Sequence, residues 1–231
     1  MYKNMLSEGV FVKSSGTTGI QKHIFRTPEN LKACNKIAIE SQKISKNSKI
    51  YTVCKMEHAG GLLAQTLPAI SIGAEVTVEQ FNAYRFSKEI NKYTHTHLAP
   101  DHAKAIIKTK GFKDLNLKGI WITCGSNPVE WHIIESFVNK GATFMANWGM
   151  SEIGPLTINK VFYNLDQIQE VKRKETILGD TYYCDWKIED GKLFVRGDTC
   201  IYNDWYNTND LVYLIESHYN NNRMYYDGRL I

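Results

Sequence analysis

Ser14-Ser15-Gly16-Thr17-Thr18-Gly19-Ile20-Gln21-Lys22 places four hydroxyls, two glycines and a lysine within nine residues, directly after the apolar run Val10 to Lys13. A strand that ends in such a loop has the means to hold phosphate. Glycines let backbone amides approach an anion, hydroxyls donate further hydrogen bonds, and Lys22 adds a compact positive charge. The spacing is not that of a Walker A loop, which needs four residues between its first glycine and Gly-Lys-Ser/Thr. On the residues alone, a Ser/Thr/Gly turn without a ligand accounts for the stretch equally well.

Working outward from this loop, short apolar runs alternate with longer segments of helical period as far as Gly149. That is the rhythm of an α/β domain with a largely parallel sheet and flanking helices. Strands are expected at Val10 to Lys13, Ile50 to Lys55, Ala74 to Val78, Thr96 to Ala99, Gly119 to Thr123 and Thr143 to Ala146. Helices are expected at Pro28 to Ile44, Gly61 to Ile70, Phe86 to Tyr93, Asp101 to Lys108 and Val129 to Val138. Thr27-Pro28 suits the start of the first, with Thr as cap and Pro in the first turn. Beyond Pro155 the pattern turns to short β-rich runs, and Asp190-Gly191 between Trp186 to Glu189 and Leu193 to Arg196 signals a hairpin. The expectation is an α/β nucleotide-binding core over 1–154, followed by a small antiparallel β subdomain over 155–231.

At 231 residues the chain suits one sizeable domain with an appendage. With 43% hydrophobic and 23% charged residues and a net charge of +4, it reads as globular rather than disordered. The positive charge is scattered, which argues against nucleic acid as a partner. No apolar run is long enough to span a bilayer, so no membrane is expected. Five dispersed cysteines without a CxxC pair read as reduced thiols of a cytoplasmic chain.

The Ser14 to Lys22 stretch resembles the phosphate-binding signature of the acyl-adenylate-forming enzymes, the superfamily of acyl-CoA synthetases, luciferase and peptide-synthetase adenylation domains. That signature is usually written Ser/Thr-Ser-Gly-Thr-Thr-Gly-x-Pro-Lys, and only Gln21 departs from it. Asn147-Trp148-Gly149-Met150-Ser151-Glu152 is similar to the family's aromatic-Gly-x-Thr-Glu motif. The resemblance gives Trp148 a place near adenine, Ser151 a contact to the α-phosphate and Glu152 the coordination of Mg²⁺. A carboxylate does suit a hard cation on phosphate oxygens, and an aromatic face suits a base. A core Trp and a helix-start carboxylate are the bland alternatives.

Gly125-Ser126-Asn127-Pro128 resembles the turn that lines the family's adenine slot, although an ordinary strand-to-helix turn would look the same. In the tail, Gly191 to Gly197, Trp205 to Asp210 and Tyr226 to Arg229 resemble the family's Gly-Glu-Leu-x-x-Arg-Gly, Tyr-x-Thr-Gly-Asp and Gly-Arg motifs, in order. The resemblance gives Asp210 the ribose hydroxyls, a task suited to a two-oxygen acceptor, and brings Arg229 to the nucleotide. A turn Asp and a surface Arg remain the alternatives. Asn209 replaces the family's glycine, and Asn tolerates left-handed backbone angles. Glu57-His58-Ala59-Gly60-Gly61 resembles the segment bordering the carboxylate pocket, where His58, Gly125 and Trp148 are the candidates. His95, His97 and His102 could also suggest a metal site, but no matching Cys or carboxylate constellation accompanies them.

The resemblance implies a minimal ligase core that activates a small carboxylic acid, acyl or aryl, with ATP and Mg²⁺ to acyl-AMP and pyrophosphate. Lys22, Ser151 and Glu152 are its implied catalytic residues, and coenzyme A or a carrier thiol its implied acceptor. Compared with the family, the chain lacks the N-terminal segment and the mobile C-terminal domain with its lysine, so a separate chain supplying that lysine is an expected partner. Two alternatives stay open: a non-catalytic ATP- or AMP-binding module, and an interaction protein in which a homodimer covers an exposed apolar face.

Overall fold

A computed structural model of the chain describes residues 2–14, 22–216 and 222–230. Helix α1 (Tyr2–Glu8) leads into a hairpin of β1 (Val10–Lys13) and β2 (His23–Arg26), and α2 (Pro28–Gln42) follows. Helix α2 starts as its sequence dictates: Thr27 Oγ1 accepts from the Asn30 amide at 3.2 Å, Pro28 opens the first turn, and Lys43 ends the helix in the left-handed region. Next come β3 (Lys49–Thr52), a helical segment running from α3 (Ala59–Gly61) through a π-turn to α4 (Leu67–Ser71), β4 (Glu75–Val78), α5 (Ala83–Glu89), β5 (His95–Leu98), α6 (Pro100–Ile107), β6 (Trp121–Cys124) and α7 (Trp131–Asn139). The remainder is β7 (Thr143–Met150), β8 (Gly154–Phe162), α8 (Leu165–Val171), β9 (Thr176–Gly179), β10 (Thr181–Tyr182), β11 (Asp185–Glu189), β12 (Lys192–Arg196), β13 (Tyr206–Ile215) and β14 (Arg223–Arg229).

The large sheet has the order β10-β8-β7-β6-β5-β3-β4. Its pairs from β4 to β7 are parallel, and β8 and β10 add antiparallel strands at one edge. Residues of β5 and β6 are buried on both faces because helices cover both. On one side, Phe86, Ile106, Phe137, Phe144 and Phe162 pack beneath α5 to α8. On the other, Leu31 of α2 meets Leu63 and Leu67 of the 59–71 segment. A buried amide network stitches that second layer to the sheet: Gln42 Nε2 donates to the Ala64 carbonyl at 2.7 Å, and its Oε1 accepts from Thr123 at 2.6 Å and from Gln65 at 2.8 Å. Both ends of the Gln42 amide are thereby satisfied, as buried polar groups mostly are.

The small sheet is antiparallel, in the order β11-β12-β13-β14-β9. Its first hairpin turns at Asp190 and Gly191, both at positive φ (50° and 75°), as the Asp-Gly pair requires. Ile177 and Tyr225 carry the main core into this sheet, and Tyr225 donates to the Val171 carbonyl at 2.7 Å. The two sheets interleave along the chain. Strands β8 and β10 belong to the large sheet and β9 to the small one, so residues 155–182 serve both.

Candidate functional site

The hairpin that opens the chain closes at the pair Ser14 and Lys22. The Ser14 amide donates to the Lys22 carbonyl at 2.9 Å, and the Lys22 amide to Ser14 Oγ at 3.0 Å. Of the expected phosphate loop, Ser15, Gly16, Thr17, Thr18 and Gly19, with Ile20 and Gln21, lie outside the described residues. The base of the hairpin rests on the 57–58 turn, where the Lys13 amide donates to the Glu57 carbonyl at 2.7 Å. His58 Nδ1 lies 3.0 Å from the Lys13 carbonyl, to which it donates, and its Nε2 lies 3.8 Å from Glu57 Oε1.

Strand β7 runs four residues past the expected Ala146 and carries Asn147-Trp148-Gly149-Met150 into the sheet, held there by its antiparallel partner β8. The turn between them presents Ser151 and Glu152, and the Glu152 side chain lies in a buried position. Arg26, fully buried, braces this turn: it donates to the Ser151 carbonyl at 3.0 Å, to the Thr199 carbonyl, and to Cys34 Sγ at 3.1 Å. Nothing in a run of four strand residues announces a buried arginine, and sequence reasoning missed it.

Gly125 and Ser126 cap β6. A Cβ on Gly125 would sit 2.5 Å from the Asn147 carbonyl oxygen, so only glycine fits against β7 there. Ser126 follows with φ 81°, and Asn147 accepts the Leu156 amide at 2.7 Å through its side chain. In the small sheet, Asp210 is 1% exposed. Its Oδ2 accepts from Trp148 Nε1 at 2.9 Å and its Oδ1 from Arg229 Nε at 2.6 Å across the β13–β14 register. Burial works against the charge on Arg229, but the hydrogen bond and negative charge of Asp210, with Tyr226 and Glu152, raise its pKa above the usual range. Asn209 has φ 58°, the left-handed conformation that an Asn can supply in place of glycine.

Two cavities meet along Ser126, Asn127, Asn147, Gly149, Arg229 and Leu230. The first, about 410 Å³, is walled by Val129, Trp148, Ile177, Leu178 and Tyr226, with Asp210 at its side. Apolar walls beside a carboxylate fit a base and its sugar. The second, about 470 Å³, collects Ser14, Lys22, His58, Ser151 and Glu152, and with them Cys54, His97 and His102. The structure thus gathers Ser14, Lys22, His58, Ser126, Asn147, Trp148, Gly149, Ser151, Glu152, Asp210 and Arg229 around these two adjoining cavities, while Gly125 lies behind the lining, against Asn147.

His95 goes elsewhere, its Nε2 3.0 Å from the Gln42 carbonyl and its Nδ1 2.8 Å from Thr94 Oγ1. Among the described residues, no three His, Cys, Asp or Glu side chains form a group that could hold a metal ion. Glu152 nonetheless fits a Mg²⁺ carried in by a nucleotide, because that ion takes one or two protein carboxylates and completes its shell with phosphate oxygens and water. No helix is long and apolar enough to cross a membrane among the described residues, and all five cysteines are free thiols.

The model of the AMP-binding enzyme family matches residues 11–199. Indoleacetate–CoA ligase from Aromatoleum aromaticum is 30% identical over 148 residues, which cover 62% of this chain and 29% of that protein. Among solved structures, o-succinylbenzoate coenzyme A synthetase from Bacillus subtilis in complex with AMP superposes with a TM-score of 0.75 at 20% identity, over 95% of this chain and 49% of that one. MatB from Rhodopseudomonas palustris with ATP bound gives 0.77 at 13% identity, over 95% and 47%. The chain therefore spans about half the length of these structures and less than a third of the ligase.

Proposed function

Because the chain belongs to the AMP-binding enzyme family, whose model matches 11–199, we propose that it activates a small carboxylic acid with ATP, giving an acyl adenylate and pyrophosphate. One observation carries the reading: Lys22, the adjacent Ser151 and Glu152, and Asp210, from three distant parts of the chain, line two cavities that share a seam. Joined along that seam, the pair has room for a nucleoside with its phosphates and a small acid.

In this reading the base enters between Trp148, Tyr226 and the Gly125-Ser126 turn, and Asp210 accepts from the ribose hydroxyls. Lys22 and the Ser151 hydroxyl meet the phosphates, and Glu152 supplies a carboxylate for Mg²⁺. That ion would neutralise phosphate charge when bound. His58 borders the acid. The acid's carboxylate oxygen attacks the α-phosphorus, the bond from that phosphorus to the oxygen bridging to the β-phosphorus breaks, and pyrophosphate leaves with the electron pair. No redox change occurs. The protein's part is positioning and charge neutralisation, the usual main terms in such a transfer. Transfer of the acyl group to coenzyme A or a carrier thiol, and a separate chain supplying a further lysine, belong to the same proposal.

Calorimetric titration with ATP and with AMP, each with Mg²⁺, tests the nucleotide site. Asp210→Ala should weaken both nucleotides by at least about tenfold, the loss of one or two hydrogen bonds to a charged group. Lys22→Ala should weaken chiefly ATP, whose outer phosphates AMP lacks. Acid-dependent exchange of pyrophosphate into ATP then tests the chemistry. If neither nucleotide binds, the reading fails for this chain.

A further inference from the structure

We propose that Cys54, His97 and His102 form a recognition wall for the end of the acid remote from its carboxylate, and that it selects a hydrogen-bond donor, a hydroxyl or N–H group, over a plain hydrocarbon or a second carboxylate. This rests on the acid-activating reading above and names the class of acid. The three side chains line only the second cavity, not the first. They therefore lie away from the base and sugar, on the side left for the acid.

The direction of the hydrogen bonds follows from counting protons. The Cys54 thiol has a single hydrogen, and Sγ lies 3.3 Å from the His97 carbonyl oxygen, to which it donates. The same sulfur lies 3.5 Å from His97 Nδ1 and 3.7 Å from His102 Nδ1. The carbonyl can only accept and is the nearest of the three partners, whereas either ring can adopt the tautomer that donates, so we assign the thiol hydrogen to the carbonyl and the ring protons to Nδ1 of His97 and His102. A neutral imidazole has one donor and one acceptor nitrogen, and both Nε2 atoms are then acceptors. His97 is 4% exposed, and its Nε2 is buried with no partner among the described residues. A buried acceptor without a partner is unfavourable, and a ligand donor would relieve it.

All three groups stay uncharged near neutral pH. Burial, and then the nearby His102, hold His97 down at about 4. Burial also lowers His102 against the opposing pull of Asp101, and pushes the Cys54 thiol up to about 12. A wall of neutral acceptors repels no cation and attracts no anion, so it offers a second carboxylate nothing, and Lys55 on the same cavity is exposed to solvent. The rings are also held in place, and the His102 side chain is partly exposed on the cavity. Phe81 stacks on His102 with centroids 4.0 Å apart and 15° between planes. Above His97, a Cβ on Gly60 would come within 2.9 Å of Cε1 and 3.3 Å of Ser126 Oγ, so the glycine keeps clear the space next to the ring that any other residue would fill.

The test is a matched series, 4-hydroxyphenylacetate, 4-methylphenylacetate and 4-carboxyphenylacetate, compared by kcat/KM in ATP–pyrophosphate exchange and, independently, by calorimetric affinity for the AMP-loaded protein. The hydroxyl acid should exceed the methyl and carboxyl acids by about tenfold or more, and His97→Phe should bring the hydroxyl-to-methyl ratio to about one. Because His97 is buried, His102→Leu at a partly exposed position is the second variant and should reduce the same ratio. Equal use of the three acids, or preference for the carboxyl acid, overturns the proposal and leaves acid activation standing. No exchange with any acid, combined with the expected binding preference, instead removes the chemistry and keeps the wall. Absence of both removes both.

Discussion

Arg26 is the position where a buried charge and the site's geometry meet. Its guanidinium is fully buried and donates to the carbonyls of Ser151 and Thr199 and to Cys34 Sγ, with Nε unpartnered. Among the described residues no carboxylate forms an ion pair with it, and its hydrogen-bond partners are carbonyl dipoles and a thiol. Arg26→Met keeps most of the volume and removes both the desolvated charge and its hydrogen bonds. Removing the guanidinium strands two carbonyls at about 1–3 kcal/mol apiece, whereas relief of charge burial acts the other way by about 1–4 kcal/mol. Mid-range values leave a loss of about 1.5 kcal/mol, or about 3–6 °C in Tm for a chain of this size.

Function should suffer more than stability. Arg26 holds the backbone of Ser151 and the Thr199 carbonyl, and the neighbouring Glu152 carbonyl accepts the Ile201 amide at 3.0 Å, so both candidate residues of the turn are pinned to the 197–203 loop. A displacement of about 1 Å in a positioned group can cost on the order of a hundredfold in rate. Urea unfolding and acid-dependent pyrophosphate exchange should be measured on Arg26→Met and Arg26→Lys together. Lys keeps the charge but cannot reach both carbonyls at once, so it should lose exchange while losing less stability than a full truncation. An Arg26→Met protein as stable and as active as the parent would refute the idea that this cation braces the turn.

Further predictions concern backbone and pH. Asn209→Gly should change stability by less than about 1 kcal/mol and leave AMP affinity intact, since φ 58° suits either residue, whereas Asn209→Val should cost about 1–3 kcal/mol in urea unfolding. For His97, the folded pKa of about 4 lies below the ordinary 6.5 because burial and His102 oppose its charge. The unfolded chain therefore binds a proton that the folded chain does not, and stability falls as pH drops from about 6.5 towards 4, by up to about 3 kcal/mol. His97→Phe should flatten that part of the profile relative to the parent, and identical slopes between pH 7 and 4.5 would show that His97 is not the group responsible.

Much of the fold was legible because its signals are local. The βαβ rhythm, the Thr27-Pro28 helix start and the Asp190-Gly191 turn each depend on a few neighbouring residues, and each appears where expected. The misses have a common cause. Strand β2 carries Arg26 as a strand residue whose burial depends on Cys34 in the next helix and on Ser151 and Thr199, both more than a hundred residues away. Strand β7 outlasts its apolar run because β8 pairs back along it, a tertiary gain that the polar Asn147 and the glycine at 149 do not advertise. Helix α8 is short, and its buried Ile168 and Val171 have meaning only against the sheet that they cover.

The same contrast explains Trp148 and Asp210. In sequence Trp148 is an aromatic beside a glycine, suited to a base, and Asp210 is a turn acid suited to ribose. In the fold they are partners: the indole N–H donates to one carboxylate oxygen while Arg229 donates to the other. A carboxylate has about four acceptor sites, so two remain for sugar hydroxyls without breaking either bond. On the proposed reading, Asp210 is oriented before a nucleotide arrives, and Arg229 compensates its buried charge. It follows that Trp148→Phe, which keeps an aromatic wall and removes only the N–H, should weaken AMP, while the truncation Trp148→Ala adds the loss of apolar surface. The difference between the two separates how much of the residue's worth lies in holding the acid and how much in facing the base.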